Sequence, residues 1–295
     1  MRIVSMIASA TEIVCALGYE DQLVARSHEC DYPPGVTRLP CVTKPRFNVH
    51  TDSASIDRAV KDLLREGLSI YEIDTPTLES LAPDVIVTQA QCEVCAVSLR
   101  DVQRAVCNWL QRCPKLVSLT PNSLAEVWDD IRRVGQALDA AARAEQLVAA
   151  LQARMEAISA QLPPARPRVA CIEWVQPLMA AGNWVPELVQ RAGGLNLLGT
   201  AGQHSPWLTA EALLASQPDL TILLPCGYDL SRTLQEVPLL PKGLTGRLVC
   251  VDGNAYFNRP GPRLVESLEI LAEIFHPRTF DFGHRGRNWV EVQQG

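Results

Sequence analysis

The chain carries one pattern twice, and this repeat limits its fold more than any other feature. Leu78-Glu79-Ser80-Leu81-Ala82-Pro83-Asp84-Val85-Ile86-Val87 and Leu213-Leu214-Ala215-Ser216-Gln217-Pro218-Asp219-Leu220-Thr221-Ile222-Leu223 both read as a helix, a Pro-Asp turn and a strand. Proline cannot continue a helix and disfavours helical backbone in the residue before it. The short β-rich runs that follow are dense enough for strands buried on both faces, as parallel strands are. A second correspondence joins Arg2-Ile3-Val4-Ser5, with a helix ending Ala16-Leu17-Gly18, to Arg168-Val169-Ala170-Cys171, with a helix ending Ala192-Gly193-Gly194. Each half thus opens with a strand, a loop and a glycine-capped helix, and the alternation predicts two open, mostly parallel α/β sheets.

Between the halves, Ser123-Leu124-Ala125-Glu126 has the form of a capping box. It opens a stretch with apolar residues at Leu124, Val127, Ile131, Val134, Leu138, Val148, Leu151, Met155 and Ile158, which Pro163-Pro164 closes. As one helix this stretch would span about 57 Å, so a break is expected near Asp139. The lack of a Gly/Ser-rich linker favours a long helical connector, residues 121–165, over a loose tether. The expected organisation is one lobe over 1–120, the connector, a second lobe over 166–277 and a solvated tail over 278–295 carrying His284, Arg285 and Arg287. A helical connector also implies lobes that move little.

Composition narrows the function classes. The chain has 295 residues, 27 basic against 33 acidic side chains and a formal charge of −6. It has no basic stripe to neutralise a nucleic-acid backbone. No apolar run approaches the roughly 18 residues of a membrane span, and the start has no secretory pattern, so a cytoplasmic location is expected. Ten cysteines are too few for a disulfide scaffold. Cys15, Cys107, Cys171 and Cys250, in apolar stretches, are expected to be packing residues.

In open parallel sheets, ligands sit beyond the carboxyl ends of the strands. Thiols, amides and aromatics gather there in this sequence. From the first half come Ser9, His28, Glu29, Cys30, Tyr32, Arg46, Gln91 and Cys92. From the second come Glu173, Trp174, Asn183, Trp184, Trp207, Cys226, Tyr228, Tyr256, Phe257 and Arg259. Aromatics are only 5% of the chain, so their concentration at strand ends points to a large, flat, partly apolar ligand, unless they fill a core. Gln91, Asn183 and Arg259 would serve polar groups on its rim. Arg46 and Arg259 could equally form surface ion pairs. Gly182 and Gly253 are expected to give the loops of Trp184 and of Tyr256-Phe257 freedom to order on binding. Truncation of Trp184 should then weaken binding, chiefly through faster dissociation.

The thiols carry a rival reading. Cys92-x-x-Cys95 could be half of a metal site or a redox pair. A local zinc site with Cys107 and Cys113 is disfavoured, because the helix expected from Ala96 would carry Cys107 about 18 Å from Cys95. A site assembled from His28, Cys30, Cys92 and Cys95 stays open, as does a reactive thiolate at Cys92 or Cys95. No Ser/His/Asp order, phosphate loop or HExxH motif accompanies these thiols, so catalysis is the second choice after noncatalytic binding.

Three longer motifs add to this reading: Ser27-His28-Glu29-Cys30-Asp31-Tyr32-Pro33, Gly182-Asn183-Trp184-Val185-Pro186 and Tyr256-Phe257-Asn258-Arg259-Pro260-Gly261-Pro262-Arg263. With Gln91-Cys92-Glu93-Val94-Cys95 and the Pro-Asp strands, they resemble the class III periplasmic-binding-protein fold over roughly residues 1–277. That fold belongs to the substrate-binding proteins of ABC importers for cobalamin, haem and ferric siderophores. The set looks like the subgroup called cobalamin-binding proteins, many without a signal peptide. The resemblance implies two Rossmann-like lobes with the ligand cleft between them, and a corrinoid such as cobalamin, or another large metal chelate, as ligand. It further implies an ABC permease as partner, met by one glutamate on each lobe in the helix before the Pro-Asp strand. Glu211 holds that position in the second half, and Glu79 is its imperfect counterpart in the first. For a corrinoid, His28, Cys30 or Cys92 could take an axial position on cobalt.

Overall fold

The computed structural model describes residues 1–66, 68–89 and 114–293. They fall into two units, Met1–Pro121 with Ala125–Ala150, and Asn122–Leu124 with Leu151–Gly295.

Both units begin with the same clasp. In the first, β1 (Ile3–Ser5) lies between β2 (Leu23–Arg26) and β5 (Val85–Gln89), and β6 (Lys115–Leu119) completes a four-stranded sheet of order β2-β1-β5-β6. All its pairings are parallel. The Asp84 carboxylate accepts the Arg2 backbone N–H at 2.7 Å, and Arg2 Nε donates to the Leu81 carbonyl at 2.6 Å. Ala82, just before Pro83, takes φ 41°. This left-handed residue ends helix α3 (Thr75–Leu81) and sends the chain into β5, which is buried along its whole length. Antiparallel β3 (Thr43–Pro45) and β4 (Tyr71–Ile73) form a separate two-stranded sheet. Helix α2 (Ser53–Arg65) runs between them in sequence.

In the second unit β12 (Trp289–Val292), β11 (Arg247–Val251), β10 (Leu220–Leu223), β7 (Arg168–Trp174) and β8 (Met179–Ala180) lie in that order, with β9 (Leu195–Asn196) also pairing β7. β10 (Leu220–Leu223) lies parallel between β7 and β11 (Arg247–Val251). Asp219 accepts the Arg168 N–H at 2.8 Å, and the Arg168 guanidinium donates to the Ser216 carbonyl at 2.9 Å. Gln217, before Pro218, takes φ 43°. Arginine, left-handed residue, proline and aspartate therefore recur as one unit. Each aspartate fixes the register of the two central strands by holding the backbone where the first of them starts. The repeated helix ends also match. α1 (Ala8–Ala16) closes at Gly18 with φ 82°, and α6 (Val185–Arg191) closes at Gly193 with φ 82°. Tyr19 and Gly194 each donate back five residues, to Val14 and Val189, as expected for a helix closed by a left-handed glycine. One difference between the halves is that β8 (Met179–Ala180) folds back antiparallel on β7 before α6 begins.

The connector is two helices, α4 (Leu124–Ala137) and α5 (Ala141–Ser159). The turn falls where expected, at Asp139 with φ 57°. A side chain at Gly135 would meet Ala144 Cβ at 2.4 Å, so the glycine lets the two helices cross in contact. Leu124, Val127, Ile131, Val134 and Leu138 are buried, as are Val148, Leu151, Met155 and Ile158. The boundary between the units falls inside α5, between Ala150 and Leu151.

The C-terminal segment is exposed at Arg285 and Arg287, as expected, but it is anchored rather than loose, and His284 is buried. Residues Trp289–Val292 form β12, which pairs antiparallel with β11 and completes one edge of the second sheet. The anchor is Glu273 on α9 (Leu264–Phe275), only 2% exposed. Its Oε1 accepts the backbone N–H groups of Phe282 and, at 3.2 Å, of His284, while Oε2 accepts the Trp289 indole N–H at 2.8 Å. Trp289 is buried, and His284 sits between Asn288 and Glu269. The charged look of the segment hid this anchor, because the acceptor lies on the preceding helix α9, 9 to 16 residues back.

Candidate functional site

The carboxyl end of β7 carries a row of large apolar side chains. A bulge at Glu173 lets Trp174 pair directly with Met179 of β8, and Met179 bridges in turn to Trp207. Directly paired residues in a sheet share a face, so Trp174, Met179 and Trp207 form one row. Trp207 is 54% exposed, the highest value among the large apolar side chains described. Tyr228, 5% exposed, backs the other end of the row from the core, its ring 5.3 Å from Trp174 and 4.9 Å under the Arg232 guanidinium. Tyr228 follows β10 and precedes α8 (Leu230–Glu236). Beneath the row, Ser205 Oγ accepts the Gly182 N–H at 3.0 Å and donates to Glu173 Oε2 at 2.8 Å. This fixes the loop that carries Trp207 against the end of β8. Cys226 is half-buried, its N–H on the Glu173 carbonyl.

The loops around this row interlock, contrary to the freedom expected of their glycines. A Cβ at Gly182 would lie 2.5 Å from the Gln203 carbonyl oxygen, and one at Gly253 would lie 2.3 Å from that of Pro225. Both glycines allow two backbones to touch; neither is a hinge. Trp184 is 5% exposed and Phe257 0%. The Trp184 indole N–H donates to the Phe257 carbonyl at 2.8 Å. These two are packing residues of the second unit, as is Arg259, which is 5% exposed in the field of Asp252. Tyr256 is half-buried between the His284 ring and the Arg263 guanidinium. Asn183 takes φ 52°, and its Oδ1 is buried without a hydrogen-bond partner.

In the first unit, β2 leads into Ser27-His28-Glu29-Cys30. Cys30 is 1% exposed; its sulfur accepts from the Thr11 hydroxyl at 2.9 Å and lies 3.5 Å from Ser27 Oγ. Burial pushes its thiol up, so it ties α1 to β2 and offers no thiolate. Burial likewise pushes Cys15, Cys171 and Cys250 up to about 12, in keeping with packing roles. His28 Nδ1 lies 2.8 Å from Thr43 Oγ1, the His28 ring is 5.0 Å from Tyr71, and the Tyr71 hydroxyl donates to Glu29 Oε1 at 2.9 Å. Ser9 is buried with no partner for Oγ. Tyr32 is 43% exposed, next to a cis peptide bond to Pro33. Arg46 is exposed and stands 4.0 Å from Glu72, a surface ion pair. Glu79 is partly exposed on α3, and Glu211 is exposed on α7 (Ala210–Ala215). Gln91, Cys92, Cys95, Cys107 and Cys113 lie outside the described residues. Among the described residues, no group of three or more His, Cys, Asp or Glu side chains could hold a metal ion.

The His28 surroundings carry a pH signature. Burial, aided by the Arg26 charge, holds its imidazole down to about 4 from 6.5. The unfolded chain therefore takes up a proton between about pH 6.5 and 4 that the folded chain refuses, and stability falls as pH drops through that window. The expected loss is about 1–3 kcal/mol. Urea midpoints at pH 7.5 and 5 should differ less in His28→Gln than in the parent. Equal differences would show that His28 does not contribute.

A family model described as periplasmic binding protein matches residues 3–239. The chain belongs to that family. A vitamin B12-binding protein of Vibrio vulnificus strain YJ016 is 23% identical over 281 residues, 93% of this chain and 89% of the relative. Among solved structures, a periplasmic heme binding protein from Pseudomonas aeruginosa superposes with a TM-score of 0.70 at 19% identity, covering 99% of this chain and 98% of that one. A periplasmic vitamin B12 binding protein of Vibrio cholerae gives 0.57 at 20% identity, covering 93% and 96%. These likenesses establish the two-lobed α/β fold. As a periplasmic binding protein, the chain is a noncatalytic, ligand-binding component of transport. Among the described residues, no helix is long and apolar enough to cross a membrane.

Proposed function

We propose that this periplasmic binding protein takes a corrinoid of the cobalamin type as its ligand and delivers it to an ABC permease. The observation that carries the reading is the Trp207–Met179–Trp174 row, backed from the core by Tyr228. A half-exposed tryptophan next to further aromatics is costly to leave in water and suits the face of a macrocycle. The interlocked glycine contacts keep the row preformed, which lowers the ordering cost of binding. The vitamin B12-binding relatives, one of which aligns over 93% of the chain, support the cobalamin reading. Glu211 supports permease docking: it is exposed on α7, and hydrogen bonds from its own backbone N–H and the Thr209 hydroxyl hold its carboxyl below the usual range. A charged carboxylate there would meet arginines of a membrane subunit, with Glu79 as its counterpart.

Calorimetry and visible spectroscopy with cyanocobalamin, cobinamide and haemin test the ligand. The expected result is corrinoid binding with Kd below about 10 μM, near −7 kcal/mol, and weaker haemin binding. Tighter binding of haemin than of either corrinoid would move the protein to the haem carriers. No binding tighter than about 100 μM to any of the three would end the proposal.

A further inference from the structure

Helix α8 holds a charge pair that its own stability does not call for. Glu236, its last residue, is 2% exposed, and Arg232 Nη2 stands 3.5 Å from its Oε1. Oε2 is buried with no hydrogen-bond partner among the described residues. Burying a carboxylate is costly, and an apolar side chain of similar volume often packs as well or better in place of such a pair. The order along the helix, cation four residues before anion, is also the weaker of the two for helix stability. What the pair adds is geometry.

That geometry belongs to Arg232. Gln235 Oε1 accepts from Nη1 at 3.1 Å while Glu236 draws Nη2, so two nitrogens of the guanidinium have separate acceptors on one helix. The Arg232 side chain is 28% exposed, and without those acceptors a chain of its length would sample several rotamers. Held as it is, its guanidinium lies 4.9 Å over the Tyr228 ring. The backbone of Tyr228 is fixed as well: its N–H donates to the Pro225 carbonyl at 3.2 Å, and its carbonyl accepts from the Asn254 N–H at 3.0 Å. With its backbone and one ring face held, Tyr228 is confined against Trp174, 5.3 Å away at an interplanar angle of 50°. Trp174 is the inner end of the row.

We propose that Glu236 is a positioning residue: through Arg232 and Tyr228 it sets the orientation of Trp174, and with it the inner end of the ligand-binding row. This rests on the reading of that row given above and lies wholly within the second unit. Glu236 needs no contact with the ligand to act.

Two variants of the full-length chain test the inference. Glu236→Gln keeps the shape and removes the charge, and Arg232→Met keeps the stem and removes the guanidinium. In ligand-free protein the Trp174 indole N–H resonance should shift in both variants, while that of Trp289, three strands away on β12, stays in place. Cyanocobalamin affinity should fall about three- to tenfold in each. The double variant should lose no more than Arg232→Met alone, because Glu236 acts only through the arginine. A residue that merely stabilised α8 would lower the unfolding midpoint and leave the Trp174 resonance and the affinity unchanged; that outcome overturns the inference. Additive losses in the double variant, or a shifted resonance with parental affinity, overturn it too. If Glu236→Gln folds poorly, Glu236→Met, an apolar side chain of similar volume, carries the same readouts. If the wild-type chain binds neither cyanocobalamin nor haemin, the functional reading fails, and the Trp174 resonance still decides whether Glu236 sets that side chain.

Discussion

Replacing Glu273 by alanine should destabilise the second unit by about 3–5 kcal/mol, because it strips the acceptor from three buried or partly buried N–H groups at once. The loss should not stay local. Without its anchor, the segment from Phe282 to Trp289 has little to hold it on α9, and β12 should leave the sheet. Hydrogen exchange would then rise in β12 and along the β11 edge that β12 covers. Glu273→Gln keeps an acceptor oxygen for Phe282 and His284 but turns a donor toward Trp289, so a smaller loss of about 1–3 kcal/mol is expected. Urea denaturation of the intact chain, followed through tryptophan fluorescence and circular dichroism, measures both. A change under 1 kcal/mol in the alanine variant would mean that β12 is held by its strand pairing alone.

The second large effect concerns Trp184, and it reverses an expectation from the sequence. A tryptophan beside a glycine after a strand looks like a loop-tip anchor whose truncation would speed ligand release. In the structure it is 5% exposed and donates to Phe257. Trp184→Ala should therefore cost about 3–5 kcal/mol of stability, and at temperatures where the variant stays folded the ligand off-rate should change little. Trp207→Ala should do the opposite, leaving stability within about 0.5 kcal/mol and weakening ligand binding. Stopped-flow dissociation beside thermal unfolding separates the two residues. A Trp184→Ala protein of parental stability with fast release would restore the loop-tip reading.

Trp184 and Trp207 show where sequence reasoning held and where it stopped. The Pro-Asp turns, the glycine caps and the break at Asp139 were legible because each is set by a few adjacent residues with strong backbone preferences. The identity of the exposed aromatics was not legible. Trp184 and Trp207 are both flanked by polar and turn-forming residues, and only the return of the 199–207 loop onto β8 decides which is buried. The same holds for His28. Its neighbours Thr43 and Tyr71 come from β3 and β4, a hairpin-like pair interrupted by a whole helix, and no local pattern brings them together. In the C-terminal segment the exposure of Arg285 and Arg287 was legible from their charge, but the burial of His284 and Trp289 was not, because the carboxylate that holds them is on another element.

The duplicated Arg–Asp clasp has a consequence for how the chain reaches its native state. Arg168 and Asp84 are separated by almost the same length of chain as Arg2 and Asp84, so loop-closure entropy hardly distinguishes the wrong clasp from the right one. A nascent β5 could as easily capture β7 as β1, giving a chimeric sheet drawn from both halves, the characteristic misassembly of repeated architectures. What separates the outcomes is the company each strand brings. β1 arrives with α1, whose Thr11 reaches Cys30 beside β2, whereas β7 arrives with the β8 hairpin folded on it, which the first sheet has no place to receive. The insertion that builds the aromatic row would thus also act as a proofreading element, keeping the two copies of one design from exchanging parts.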